Sequence, residues 1–243
     1  MYNISTNDYL KYLSLISSIP KQWKKALLTN NENNPVTYFQ QFFMLNKPNK
    51  LLYRTHLKRN KQILNKAENK WNDSYPDIEW SKIYMIPFLC TIDTKLRAFQ
   101  YKFLKRILPT NDFLNKCKIV SSSLCDLCNM HTETVIHLFW ECQVSQNFWS
   151  QVSLFLQNNN INIQIDYKVI AFGTTNRTNS YVITNFILLM AKYFVYKCKI
   201  NKSLPQIGNF ISELKQRKQI ESIIANTKNK ITLHNNKWSN IKF

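Results

Sequence analysis

Residues 117–142 read CKIVSSSLCDLCNMHTETVIHLFWEC. Within this stretch Cys125, Cys128, His137 and Cys142 follow the pattern C-x2-C-x8-H-x4-C. A C-x2-C pair offers two thiolates from one tight turn, and a structural zinc ion takes four N or S donors in a tetrahedron. These four residues are the candidate ligands of a structural Zn2+. Thr132 or Thr134 can begin a helix that carries His137, and Glu133 suits its first turn. Cys142 lies five residues beyond His137. In an uninterrupted α-helix that step turns ~500°, so the two side chains would diverge. The helix is therefore expected to end near Glu141, which lets Cys142 turn back towards the metal. Buried thiols around a core histidine, or His131 as the nitrogen donor, are the other readings of the same residues. A redox C-x-x-C is disfavoured because no βαβ pattern surrounds it.

On both sides of this segment the apolar residues recur at helical spacing. Residues 93–108, DTKLRAFQYKFLKRIL, place Leu96, Phe99, Phe103 and Ile107 on one stripe, with Asp93 or Thr94 as cap and Pro109 as the stop. Residues 144–157 turn Val144, Phe148, Trp149, Val152 and Phe155 inward. Residues 50–71 align Tyr53, Leu57, Leu64, Ala67 and Trp71. A short amphipathic helix is expected within 6–28, broken at Pro20. A polar hinge is expected at 158–162, and an apolar helix near 178–199 followed by two more at 204–218 and 219–232. Only IQIDYKVIAF at 163–172 reads as a candidate strand. The expected fold is mostly α, an irregular helical bundle with a small Cys/His zinc-binding element. Its expected parts are an N-terminal helical region at 1–75, a helix plus the zinc-binding region at 76–160, and a C-terminal helical region at 161–243.

Composition narrows the function. The chain has 243 residues, with 33 Lys and Arg against 14 Asp and Glu, a net charge of +19. It has only two glycines, which excludes a Gly-rich phosphate loop, a Rossmann turn and a many-hairpin β-fold. No catalytic motif and no close carboxylate pair stands out, and no small-molecule substrate is indicated. A four-ligand zinc site is closed, hence structural, and the chain reads as a non-enzyme. The most apolar stretch, Tyr181 to Cys198, contains Asn185 and Lys192 and barely reaches the ~20 residues a span needs. It reads as a buried helix, and no membrane partner is expected. The N-terminus lacks a basic region before its apolar part, so no signal peptide is expected and the setting is intracellular. Cys90, Cys117 and Cys198 have no partner spacing and read as core residues.

An excess of this size points to a polyanion. The basic helix faces carry Arg54, Lys58, Arg59 and Lys61 in one region and Lys95, Arg97, Lys102, Lys105 and Arg106 in another. These are the candidate contacts to RNA, DNA or both. Lys predominates over Arg, which suits phosphate contact more than base reading, so the affinity should be largely sequence-independent. Tyr101 is a candidate for base stacking. Trp140, Phe148 and Trp149 are better read as core beside the metal.

Three stretches carry a family resemblance: TIDTKLRAFQYKFLKRILPTNDFL at 91–114, the C-x2-C at 125–128, and ETVIHLFWECQVSQNFW at 133–149. Trp80 and Tyr84 in WSKIY fit as well. The sequence resembles the C-terminal segment of reverse transcriptases from LINE-type, non-LTR retrotransposons, including their zinc-binding element. The resemblance implies that Cys125, Cys128, His137 and Cys142 match the family's metal ligands. It also implies a segment that helps to hold template RNA and target DNA. The polymerase and endonuclease parts of such proteins are not found in this sequence. The alternative function is that of a protein-interaction or inert helical fragment of a decayed element.

Overall fold

The structure is a computed structural model that describes Ser14 and residues 17–22, 66–76, 78–175 and 180–243. The chain divides into two units, Met1–Ile63 and Leu64–Phe243. In the first, Ser14, Ser17, Ser18, Lys21 and Gln22 are helical, with a bend at Ile19 and Pro20 between them. The helix expected over 50–71 lies outside the described residues up to residue 65, as do Arg54, Lys58, Arg59 and Lys61.

In the second unit the elements are α1 (Lys66–Asn72), α2 (Trp80–Cys90), α3 (Thr94–Leu104), α4 (Asn111–Lys116) and a π turn (His137–Glu141). Then come α5 (Gln143–Asn158), α6 (Tyr167–Phe172), α7 (Tyr181–Ile200), α8 (Ile207–Thr227) and α9 (Ile231–Trp238). No strand occurs among the described residues; one isolated bridge pairs Leu124 with Thr132. The mostly helical expectation holds.

The apolar stretch at 181–198 becomes α7, which runs through the middle of this unit and packs against α2, α3, α5, α6, α8 and α9. Phe186, Ile187, Met190, Ala191 and Val195 are buried along it. No helix among the described residues is long and apolar enough to cross a membrane. The two polar side chains of the stretch are packing pins. Asn185 Oδ1 accepts the Thr174 N–H at 2.9 Å, and its Nδ2 donates to the Thr174 carbonyl at 3.0 Å. Lys192 Nζ donates to the carbonyls of Ile170 at 2.7 Å and Ala171 at 3.2 Å. Its amine also sits 4.2 Å from the centre of the Phe103 ring. Gly173, with φ +77°, has the Asn185 amide where a Cβ would stand.

Several local expectations are corrected. The helix from Asp93 stops at Leu104, not at Pro109. Arg106 adopts φ 56° and closes a Schellman turn, with the Ile107 N–H on the Lys102 carbonyl and the Arg106 N–H on that of Phe103. Lys118, Asn160, Lys202 and Asn229 end their helices with the same pair of bonds and positive φ, so residues other than glycine fill these turns. The segment at 163–172 is not a strand: Asp166 caps α6 by accepting the Val169 N–H. The helices expected at 204–218 and 219–232 are one long α8, since neither Pro nor Gly interrupts residues 209–227, followed by α9. The segment at 158–162 is not a free hinge. Asn159 is buried, and its Oδ1 accepts the Lys242 N–H at 2.6 Å. Cys90 and Cys198 are buried as expected, but Cys117 is exposed at the C-cap of α4.

Candidate metal centre

The four predicted donors converge. One donor atom from each of Cys125, Cys128, His137 and Cys142 lies within 4.8 Å of all the others. His137 Nε2 is 3.4 Å from Cys128 Sγ. With Zn–S near 2.3 Å and Zn–N near 2.05 Å, the tetrahedral S···N edge is about 3.6 Å, so this pair already has the separation a zinc ion needs. Three thiols and one imidazole form a donor set that fits Zn2+. His131 is exposed and outside the cluster.

Each donor is placed by local backbone chemistry. Residues 124–132 form a knuckle closed by bonds from the Cys125 N–H to the His131 carbonyl and from the Glu133 N–H to the Ser123 carbonyl, both 2.8 Å. Asn129 takes φ 55° inside it, and its N–H donates to the Cys125 carbonyl. Thr134 is the residue that starts the next turn: its Oγ1 accepts the His137 N–H at 3.0 Å. The helix does end at Glu141 as expected, but by a route that α periodicity does not contain. Residues 137–141 wind as a π turn, and the Cys142 N–H donates to the His137 carbonyl at 2.8 Å. An i→i+5 bond brings residues five apart back towards the same side. Cys142 then leaves the helical path, with ψ 124°, and starts α5.

Electrostatics favour a thiolate at Cys142. Cys142 is pulled down from the ordinary thiol range, chiefly because the Cys125 thiol donates to its sulfur, with the Ser145 and Val144 N–H groups adding to this against the cost of burial. Those N–H groups belong to the start of α5, where a helix favours negative charge. Cys125 is pushed up, since Cys142 holds its proton and burial opposes charge; the N–H groups of Cys128 and Leu127 work the other way. A metal ion would displace that shared proton.

Glu133 has a larger role than a first-turn acid. It is 0% exposed. Its Oε1 accepts the Asn111 N–H at 2.9 Å and its Oε2 accepts the Asp126 N–H at 3.0 Å. Lys199 from the end of α7 sits 3.4 Å from Glu133 and 3.7 Å from Asp126. Asn111 Nδ2 reaches the Leu124 carbonyl at 2.7 Å and Asp126 at 2.9 Å. One buried carboxylate thus ties the knuckle, the start of α4 and the end of α7 together. Its position between the C-x2-C and His137 was the only sequence signal for this.

The basic positions separate into two groups. Lys95 and Lys102 are exposed and have no ion pair among the described residues. Arg97, Lys105 and Arg106 are half-buried. Arg97 Nε donates to the Thr91 carbonyl at 2.8 Å, Lys105 pairs with Glu68 at 2.9 Å, and the Arg106 guanidinium lies 4.4 Å from the Trp71 ring centre. Tyr101 is exposed, while Phe148 and Trp149 are core, with Trp149 Nε1 donating to the Phe139 carbonyl.

No curated protein matches the chain. Residues 64–149, a span that starts with the second unit and holds all four donors and Glu133, match the family model described as zinc-binding in reverse transcriptase.

Proposed function

We propose that this chain is a zinc-stabilised nucleic-acid-binding module of a non-LTR retrotransposon reverse transcriptase, acting by binding and not by catalysis. The matched family model supports the reverse-transcriptase part of this reading, and the LINE-type resemblance of residues 91–114 and 133–149 supports the rest. Four protein donors leave zinc no open position for water, so its role is to hold the knuckle against α4, α5 and α7.

The observation that carries nucleic-acid binding is how the few acids are used. Glu68, Asp93, Glu133, Glu213 and Glu221 all pair with cations while mostly sheltered from solvent. These five carboxylates are engaged inside the fold, whereas Asp73, Glu79, Glu141 and Asp166 are exposed beside lysines such as Lys66, Lys70, Lys95, Lys102 and Lys118. Each sheltered pair removes one charge of each sign, so the excess of +19 stays with the remaining cations, and phosphates are their natural partners.

A salt titration tests this on the full chain with labelled single-stranded RNA and duplex DNA. Log K should fall steeply with log salt, and Lys95→Ala with Lys102→Ala should flatten the slope by about 1–2. A flat dependence, or no binding at low salt, refutes the reading. Metal content is measured in parallel: wild type should carry about one zinc per chain and Cys128→Ser none.

A further inference from the structure

Helix α2 has two apolar faces and buries one. Ile83, Ile86 and Cys90 enter the core. Met85, Phe88 and Leu89, together with Ile92 just past the helix end, are each at least 49% exposed. Their spacing is i, i+3, i+4, i+7, the spacing by which one helix packs on another.

Phe88, Leu89 and Ile92 form one wall of an open groove of about 540 Å³, and Val182, Ile224 and Leu233 add to its apolar lining. The turn between α8 and α9 places Lys228 and Lys230 on its rim. Both are exposed and without an ion pair among the described residues. The groove's own carboxylate, Glu221, is already engaged by Lys237 at 2.8 Å and by Trp238 Nε1 at 2.9 Å. An apolar floor therefore meets an uncompensated positive rim.

We propose that this groove docks an amphipathic α-helix of a partner protein, with apolar anchors on one face and Asp or Glu beside them. Three observations select that occupant. The apolar stripe continues past the groove to Met85, so a compact small molecule would leave part of it uncovered. The rim charge calls for acidic flanks. The Arg97 guanidinium stands 4.7 Å from the centre of the Phe88 ring, and the rest of the apolar lining is aliphatic, which suits Leu or Ile anchors more than a stacked nucleobase.

The test uses the full chain and a labelled peptide of about 20 residues, long enough for a stable helical ligand. Its Leu residues stand at i, i+3, i+4 and i+7, with Glu at the flanking positions. Binding is read by fluorescence anisotropy. Leu89→Glu and Leu233→Glu should each weaken it at least about tenfold. Both side chains are solvent-facing, and circular dichroism and the melting temperature verify that the variants fold. Lys228→Glu with Lys230→Glu should weaken the Glu peptide and strengthen a matched peptide with Lys flanks. Equal binding of the Glu and Lys peptides, no binding of either, or full displacement of the Glu peptide by single-stranded RNA from the unaltered groove would each overturn the proposal.

Discussion

Replacing Lys192 by Met tests whether the amine at the centre of α7 is held against its own charge. The side chain is 2% exposed and donates to two carbonyls, with no carboxylate paired to it among the described residues. Burial lowers it from its ordinary 10.5 to about 7, and the nearby Cys90 only partly offsets this. A fall of that size, at ~1.4 kcal/mol per pH unit, is a destabilisation of about 5 kcal/mol whenever the unfolded chain carries the proton and the folded chain resists it. The sign follows from proton counting. Between about pH 7 and 10.5 the unfolded state binds more protons than the folded state, so stability rises with pH. Below about pH 7 the cost is complete, and above 10.5 it is gone.

Two titration curves with these midpoints give a cost of about 4.7 kcal/mol at about pH 6 and about 2 kcal/mol at about pH 9. Met of similar length removes the charge but also two hydrogen bonds, a loss of about 1 kcal/mol each that does not depend on pH. The sign of the change at any single pH is therefore uninformative, and its slope is decisive. Urea denaturation of zinc-saturated wild type and Lys192→Met should show the variant's relative advantage shrinking by roughly 2–3 kcal/mol over that interval. Cys90, pushed up by burial to about 11, is common to both proteins. Parallel stability profiles for the two proteins would refute the reasoning.

Three further outcomes are expected. Glu133→Gln should keep the helical content while weakening zinc binding about 10–100-fold in competition with a chromophoric chelator; unchanged affinity would remove the carboxylate from the knuckle's support. Gly173→Ala should lower stability by at least ~2 kcal/mol, because φ +77° with ψ −175° is glycine backbone and the new Cβ meets Asn185. A urea midpoint shift worth less than ~0.5 kcal/mol would contradict this. Lys118→Gly should raise stability by about 1 kcal/mol by relieving a left-handed lysine, and Asn160→Gly by less, since Asn enters that region more readily; a lower melting temperature for Lys118→Gly would count against the strain.

The convergence of the four candidate donors was legible because zinc selects donor types and spacing, and both are written in the residues 125–142. The π turn was not legible. Helical periodicity assumes i→i+4 winding, and only the i→i+5 bond from Cys142 to His137 reconciles five residues with one metal. Helix faces were legible where apolar residues alternate with charge, as at Leu96, Phe99 and Phe103. The fate of the charges on those faces was not. Arg97 and Lys105 have long stems, and what they reach, a carbonyl at Thr91 and the carboxylate of Glu68, is set by tertiary packing. Glu133 shows the same limit: a carboxylate beside a helix start reads as a dipole partner until the α4 and α7 termini are seen closing on it.

The π turn also makes the metal site a corner piece. With one residue fewer between His137 and Cys142, the two donors would stand i, i+4 on an ordinary α-helix and still share a face. The helix would then run straight through Cys142 into α5. The extra residue is what stops it there, redirects the chain, and sets the rotational phase in which Phe148, Trp149 and Val152 face the core. A one-residue deletion in 138–141 would therefore spare the ligands and misdirect the bundle. The spacing that brings the four donors together is equally a joint angle, which sets the direction in which α5 leaves the knuckle.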